Sequence, residues 1–327
     1  MLTTADPLQK ATIFCVDLGT TNARVWLLHD REVVARATAP FGVRDAARQG
    51  SNTSIGRGLR ALLENVSASA VGTPPAQLIL GAGMITSSLG LKDVPHLSAP
   101  VGRSDLSAGV KRLHRQEVSD LDILLVPGIR TLHDGEVIDM MRGEETLCIG
   151  LLALGALAPG GMLLNLGSHW KAIQTDANGR IVSSVTTLSG ELIHAVQSQT
   201  ILAGALPQCR LEQLDMDWTE AGMKEQRNSG LARALFFVRL LEQQGRTNAE
   251  QRMAFLLGAC VASDLDAWLR QGLLHRSVLI SGGGAVAQAW RWALQKQSIA
   301  AEICSAPQIE SAMLTGLQRI CAEHLSR

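Results

Sequence analysis

Asp17-Leu18-Gly19-Thr20-Thr21-Asn22 points to a duplicated architecture, because Asn165-Leu166-Gly167-Ser168-His169 repeats its plan about 148 residues later. In the first copy an apolar strand (Ile13, Phe14, Cys15, Val16) enters the loop. A second strand, Ala23 to Leu28, leaves it, and Glu32 to Ala37 follows a polar turn as a third. In the second copy Met162, Leu163 and Leu164 enter, Lys171 to Gln174 leaves, and Arg180 to Val185 follows the turn Asp176-Ala177-Asn178-Gly179. A glycine at a strand end lets backbone approach a ligand, and the neighbouring hydroxyls and amide are short donors. Gly-Thr-Thr-Asn alone is ordinary turn composition. A matched partner loop is not explained by turn chemistry, and two such loops facing each other would grip one polyphosphate. Asp17 would repel phosphate directly, so it calls for a bridging magnesium or a water.

Composition narrows the class. With 327 residues and 46% hydrophobic content, the chain can bury two cores of ordinary domain size. Lys plus Arg and Asp plus Glu both count 30, so no basic stripe argues for nucleic acid or a membrane surface. Aromatic residues make up 3% and tyrosine is absent, which leaves little for a sugar-stacking platform or a base-stacking surface. Cys15, Cys148, Cys209, Cys260, Cys304 and Cys321 include no Cys-x-x-Cys pair and read as structural thiols of a reducing compartment. The segment Met1 to Ala11 lacks the apolar core of a signal peptide, which points to the cytoplasm. The longest apolar run, Leu147 to Ala158, stops at Pro159-Gly160-Gly161, short of the roughly 20 residues that span a bilayer, and reads as a buried helix. His29, His96, His114, His133, His194, His275 and His324 show no metal-ligand spacing, so no zinc site is expected.

Further along, Ser54 to Ser67 carries Ile55, Leu59, Leu62, Leu63 and Val66 at helical spacing. Gln77 to Leu80 is a short strand entering Gly81-Ala82-Gly83-Met84. Ile85 to Gly102 is too long for a plain connection and reads as a ligand-facing loop region. Leu121 to Val126 is a buried strand, and a helix is expected from near Asp139 to Leu157. After the Pro-Gly-Gly break, helical patterns occupy Ser189 to Ala203, Leu231 to Gln243 and Ala249 to Gln271. The close is a strand at Ser277 to Ile280, a helix at Ala285 to Lys296, a strand near Ile299 to Cys304 and a helix from Gln308 to Leu325. This order gives two α/β lobes.

Three further stretches carry chemistry. Ser281-Gly282-Gly283-Gly284 joins a strand to a helix, where glycines expose backbone amides. It also fits a dinucleotide pattern through Gly282, Gly284 and Ala287, with Glu302 placed for a ribose. That reading leaves too little chain for a dinucleotide fold and does not explain the paired loops. Asp139-Met140-Met141-Arg142-Gly143-Glu144-Glu145-Thr146 places three carboxylates and an arginine ahead of the second loop. Phosphoryl transfer to an alcohol needs a carboxylate within reach of the attacking hydroxyl, and Glu144 is the first choice, with Glu145 and Asp139 behind it. A solvated first helical turn would use acids the same way, to complement the dipole. His169 and Lys171 sit where the second loop becomes a strand, and either could meet phosphate or a substrate carboxylate.

The three glycine loops together resemble the phosphate-1, phosphate-2 and adenosine motifs of the actin, sugar kinase and Hsp70 superfamily. More closely, the chain resembles the 2-dehydro-3-deoxygalactonokinase family over nearly its whole length. The stretches that carry this are Gly83-Met84-Ile85 with Gly90 and Pro95, Val126-Pro127-Gly128-Ile129, Met141-Arg142-Gly143-Glu144-Glu145-Thr146, Gly167-Ser168-His169 with Lys171, and Ser189-Gly190-Glu191-Leu192. The chain departs from the family at Leu18, where Trp is usual, at Ser88 and Leu91, and at Trp170 and Ala172. The Gly-Glu-Glu stretch also looks like the region that supplies a catalytic glutamate in related exopolyphosphatases.

The resemblance implies an α/β, two-lobed actin-like ATPase (ribonuclease H-like) fold with duplicated βββαβα-type lobes and an interlobe cleft. Residues 1–145 would form the first lobe and 146–327 the second, with the last helix packing back on the first. ATP would be held by Gly19, Thr20, Thr21, Asn22, Gly167, Ser168, His169, Gly282, Gly283 and Gly284, with Mg²⁺ at Asp17. Met84, Ser87, Ser88, Arg142 and Lys171 would face the sugar acid, and Arg24, Lys92, Arg103 and Arg142 are candidates for its carboxylate. Asp17 and Glu144 would carry the catalysis. The implied reaction transfers phosphate from ATP to the 6-hydroxyl of 2-dehydro-3-deoxy-D-galactonate in galactonate catabolism. A polyphosphate or nucleotide phosphohydrolase, and a non-catalytic nucleotide-dependent sugar sensor, are the alternatives. The partner is a small molecule, with neither nucleic acid nor membrane, and a homodimer is left open.

Overall fold

The computed structural model describes residues 6–274 and 277–327. His275 and the first five residues of the segment 1–11 lie outside the described residues. In chain order the first part holds β1 (Thr12–Leu18), β2 (Ala23–His29), β3 (Glu32–Ala39), α1 (Val43–Gln49), α2 (Thr53–Ser69) and β4 (Leu78–Gly83). A single 3-10 turn, Met84–Thr86, leads to β5 (Leu97–Ser98), α3 (Arg103–Gly109), β6 (Lys111–Arg115) and β7 (Ser119–Leu125). Then come β8 (Ile129–His133), β9 (Glu136–Met141) and α4 (Glu144–Ala153). The second part runs β10 (Met162–Leu166), β11 (Trp170–Thr175), β12 (Ile181–Thr187), α5 (Ser189–Gln199), α6 (Met216–Ser229), α7 (Leu231–Gln243) and α8 (Ala249–Arg270). It ends with β13 (Ser277–Ser281), α9 (Gly284–Lys296), β14 (Ala300–Ile303) and α10 (Ala306–Leu325).

The same sheet plan occurs twice. One sheet has the order β3-β2-β1-β4-β7-β6 and the other β12-β11-β10-β13-β14. β1 pairs antiparallel with β2 and parallel with β4, as β10 pairs antiparallel with β11 and parallel with β13. A strand with neighbours on both sides and layers on both faces is built from a near-continuous apolar run, as Ile13 to Val16 of β1 and Met162 to Leu164 of β10 are. The chain divides into two compact units, residues 1–159, 175–184 and 310–327 in one, and 160–174 and 185–309 in the other.

Each unit has its own core. In the first, Ile55, Leu59, Leu62, Leu63 and Val66 of α2 pack with Val16, Leu18 and Val25 of the sheet. Here α4 and α10 cross closely: a β-carbon on Gly316 would lie 2.0 Å from the Thr146 carbonyl oxygen, so α4 is tightly seated. In the second, Trp268 of α8 stacks on Trp290 of α9 at 5.1 Å, and Trp170 of β11 meets Trp290 edge-on at 5.6 Å. Trp170 is therefore a core residue, although it stands beside the second loop.

The expected helix from Asp139 does not form. Asp139, Met140 and Met141 pair with Thr131, Arg130 and Ile129 as the edge of a hairpin, and α4 starts only at Glu144. The break is at Gly143, whose φ of 104° no side-chain-bearing residue adopts readily. The helix also stops at Ala153, earlier than the apolar run. α6 was not legible from apolar spacing because its sequence, MDWTEAGMKEQRNS, is mostly polar; Asp215 caps it through the Trp218 amide. Cys209 is exposed, while the other five cysteines are buried. Among the described residues no helix is long and apolar enough to cross a membrane.

Candidate functional site

In the first unit three chain segments converge on Asp17, at the end of β1. A β-carbon on Gly83, where β4 ends, would lie 3.0 Å from Asp17 Oδ1, and one on Gly143 would lie 3.2 Å from the Gly83 α-carbon. Only glycines allow these backbones to come so close, and the result brings Glu144, the residue after Gly143, up to Asp17. The Asp17 side chain is 13% exposed and receives a 3.0 Å bond from Arg24 Nη1, its cross-strand partner on β2. Burial pushes the Asp17 carboxyl above its usual range; Arg24 opposes that rise and the Glu144 charge adds to it.

The two adjacent glutamates are not equivalent. Glu145 is fully buried, and its two carboxylate oxygens accept from the Gly143 amide at 2.9 and 2.8 Å, one of them also from the Thr146 hydroxyl. It closes the start of α4. Glu144 is half-buried, and its Oε2 is a buried oxygen with no hydrogen-bond partner among the described residues. Such atoms are rare because desolvation is left uncompensated. Asp139 lies on β9, part-buried.

The loop Gly19 to Asn22 is closed by the Gly19 amide donating to the Asn22 carbonyl at 2.8 Å. It is backed by the start of α1, where the Val43 amide donates to Gly19 and the Arg44 amide to Thr20. A β-carbon on Gly42 would lie 2.4 Å from the Thr20 carbonyl oxygen. Thr20 and Thr21 are half-buried and Asn22 is exposed.

The second unit repeats this support. The Glu191 amide donates to the Ser168 carbonyl at 2.8 Å, and a β-carbon on Gly190 would lie 2.4 Å from the Gly167 carbonyl oxygen. Gly42 and Gly190 are separated by the same interval as Gly19 and Gly167, so the repeat extends past the strands to the helix that backs each loop. Extending the interval beyond the third strand would have found both glycines. His169 is half-buried, with Nε2 3.8 Å from a Glu191 carboxylate oxygen. Lys171 is buried on β11, opposite Asn165 in the ladder. Gly282 packs on Leu166, where a β-carbon would come within 2.7 Å of the Leu166 side chain, which joins the third loop to the second. Gly283 is exposed, and the Ala285 amide at the start of α9 is taken by the Leu211 carbonyl at 3.1 Å.

The residues read as sugar-facing lie in the first unit, apart from Lys171. Met84 and Ser87 belong to the 3-10 turn and its end, with the Ser87 hydroxyl donating to the Met84 carbonyl at 2.7 Å; Ser88 is exposed. Arg142 is spent on this segment. Its Nη1 donates to Thr86 Oγ1 and to the Val94 carbonyl, both at 2.9 Å, and its Nη2 lies 3.2 Å from Asp93. Burial pulls the guanidinium below its usual range, while Asp93 and Glu145 oppose the change. Of the other cations, Arg24 is bound to Asp17, Arg103 pairs with Glu323 at 2.8 Å, and Lys92 is exposed.

Among the described residues no group of three or more His, Cys, Asp or Glu side chains is placed to hold a metal. Magnesium does not need one, since it is held by one or two carboxylates together with substrate phosphates. Asp17, an acid in a partly desolvated place with the Glu144 charge beside it, fits that role for such an ion.

The 2-keto-3-deoxy-galactonokinase family model matches residues 17–320. The 2-dehydro-3-deoxygalactonokinase of Escherichia coli (strain K12) is 28% identical over 293 residues, covering 87% of this chain and 90% of that protein. "Probable 2-dehydro-3-deoxygalactonokinase DgoK1" of Rhizobium meliloti (strain 1021) is 27% identical over 309 residues, covering 93% and 95%. A crystal structure of a candidate 2-dehydro-3-deoxygalactonokinase from Sinorhizobium meliloti superposes with a TM-score of 0.77 at 24% identity, over 94% of this chain and 96% of that one. The activator of the 2-hydroxyisocaproyl-CoA dehydratase from Clostridium difficile, solved with bound ADPNP, shares the fold at a TM-score of 0.52 and 12% identity, over 96% of each chain.

Proposed function

The chain belongs to the 2-keto-3-deoxy-galactonokinase family, a group of phosphotransferases with an alcohol acceptor, and from that premise we propose that it is a cytoplasmic enzyme that phosphorylates the 6-hydroxyl of 2-dehydro-3-deoxy-D-galactonate with ATP. The observation that carries the catalytic assignment is the buried Oε2 of Glu144 beside Asp17, which has no hydrogen-bond partner among the described residues. Glu144 takes the proton from the attacking hydroxyl, and its fixed place at the start of α4 holds that hydroxyl in line with the phosphoryl group. Arg24 holds Asp17 in place and favours its charged form against the burial that opposes it. Asp17 would hold Mg²⁺ together with the nucleotide phosphates, an ion that when bound would neutralise charge on the phosphoryl oxygens.

Gly19, Thr20, Thr21 and Asn22 are assigned to phosphate binding within the first unit, and Gly167, Ser168 and His169 are given the same assignment within the second. Gly282 to Gly284 are assigned to the adenosine end. The segment after Gly83, with Met84, Ser87 and Ser88, is assigned to the sugar acid, and Arg142 supports that segment through Thr86 and Val94. Lys171 is retained on the sugar-acid side of the assignment.

The test is ADP release coupled to a reporter across a panel of aldonic and 2-keto-3-deoxy acids. Stimulation by 2-dehydro-3-deoxy-D-galactonate above all others is expected, with product phosphorylated at the 6-position; no acid raising the rate above the basal level would overturn the reading. Glu144→Gln should lower kcat by about 10²- to 10⁴-fold while both KM values stay within a few-fold.

A further inference from the structure

We propose that Asp264 is a positioning residue for the second phosphate loop, acting from α8 through the turn Thr187 to Ser189. This rests on the reading of Gly167-Ser168-His169 as a loop that holds nucleotide phosphate. Asp264 is 8% exposed, and its Oδ2 accepts from both the Thr187 hydroxyl and the Ser189 hydroxyl at 2.7 Å. Ser189 is the first residue of α5 and is itself buried. The next two residues make the contacts that set the loop: Gly190 lies flat against the Gly167 and Ser168 carbonyls, and the Glu191 amide donates to Ser168. Fixing Ser189 therefore fixes where these carbonyls sit, and with them the backbone of the Gly167-Ser168-His169 loop.

Comparison of the two units shows why a remote residue is needed. In the first unit the backing helix α1 is closed locally, since Asp45 accepts from the Gly42 amide at 3.1 Å. The position one interval on from Asp45 is Ile193, a core residue whose side chain has no acceptor. The start of α5 has no side-chain cap of its own. Its restraint comes from α8, a helix of 22 residues whose buried face is built into the core of the second unit. Among the described residues Asp264 is balanced by these two hydroxyls rather than by a cation. A largely desolvated carboxylate held this way is costly, and burial pushes its carboxyl above the usual range while the hydroxyl bonds oppose that. A group that serves packing alone would be better apolar.

The experiment uses the full-length enzyme with saturating sugar acid, then saturating ATP, for Asp264→Asn, Ser189→Ala, the double variant, Ser189→Thr and Ser168→Ala. Asp264→Asn and Ser189→Ala should each raise the KM for ATP roughly three- to tenfold, the worth of a buried hydrogen bond, and leave the sugar-acid KM within about twofold. The double variant should be no worse than Asp264→Asn, and Ser189→Thr, which restores a hydroxyl, should recover the parent value. An unchanged KM for ATP in Ser189→Ala, or both KM values and Tm moving together in it, would overturn the proposal even if Asp264→Asn does not fold. Ser168→Ala separates the two levels. If it leaves the KM for ATP unmoved, the loop assignment fails; if it raises that KM while Ser189→Ala and Asp264→Asn do not, the positioning role alone fails.

Discussion

Replacing Gly190 with alanine sets helix stability against loop geometry. Gly190 is the second residue of α5, where exchange of glycine for alanine favours the helix by up to about 1 kcal/mol on propensity alone. The new β-carbon, however, would stand 2.4 Å from the Gly167 carbonyl oxygen and 2.5 Å from that of Ser168. Both atoms are backbone and cannot rotate away, so helix start and loop must part by about 0.6 Å to reach 3.0 Å, and by about 1 Å for an ordinary contact. A misplacement of about 1 Å in a positioned catalytic group costs on the order of 10²-fold. We therefore expect kcat/KM for ATP to fall about 30- to 100-fold while Tm changes by only a few degrees. Gly42→Ala should do the same through Thr20, whose carbonyl oxygen would be 2.4 Å from the new atom. Gly204→Ala, an exposed position of the second unit with nothing within 4 Å, is the control. Steady-state kinetics and thermal unfolding on the same preparations decide the matter. Gly190→Ala within threefold of the parent would refute the claim that this contact sets the loop.

Two other perturbations address the first unit. Burial, with the Glu144 charge adding to it, pushes the Glu145 carboxyl from 4.5 to about 7. The folded protein keeps a proton there that the unfolded chain gives up, so this contribution is complete below pH 4.5 and is lost as pH rises to about 7. Glu145→Gln should remove that slope from urea-unfolding free energies between these pH values; parallel curves for variant and parent would contradict the assignment. Arg142→Lys cannot reproduce the fork that reaches Thr86, Val94 and Asp93, so it should cost about 1–3 kcal/mol of stability. It should also raise the sugar-acid KM more than the KM for ATP, and an unmoved sugar-acid KM would take the segment after Gly83 out of substrate binding.

Much of the fold was legible because it is written in local patterns. The apolar strands around each loop, the face of α2 from Ile55 to Val66 and the spans of α7 and α8 follow from spacing alone. Asp139 to Met141 reads as helix in the sequence because an acidic residue before an apolar run also looks like a helix start, whereas it forms the end of β9. Its true partner, β8, is set by hairpin pairing that spacing does not register. Trp170 beside the second loop looked like a departure within the site, yet it lies in the core against Trp290 of α9, about 120 residues on. Arg142 carries a charge suited to a substrate carboxylate, but its donors are occupied by residues some 50 positions earlier.

The sequence by itself determined the duplicated strand plan, the two glycine-hydroxyl loops and the short choice of acids near residue 144. Periodicity and repeat interval are properties of neighbours along the chain, so they can be read without knowing where the chain goes. Folding in three dimensions is what consumes Glu145 on the Gly143 amide and leaves Glu144, beside Asp17, with a buried oxygen that has no partner among the described residues. It also decided that the turn backing the second loop is held by Asp264, 75 residues beyond Ser189. Such pairings arise where packed backbones come within a few ångströms of each other and desolvate particular atoms, and which atoms those are depends on three-dimensional contacts that no interval along the chain encodes.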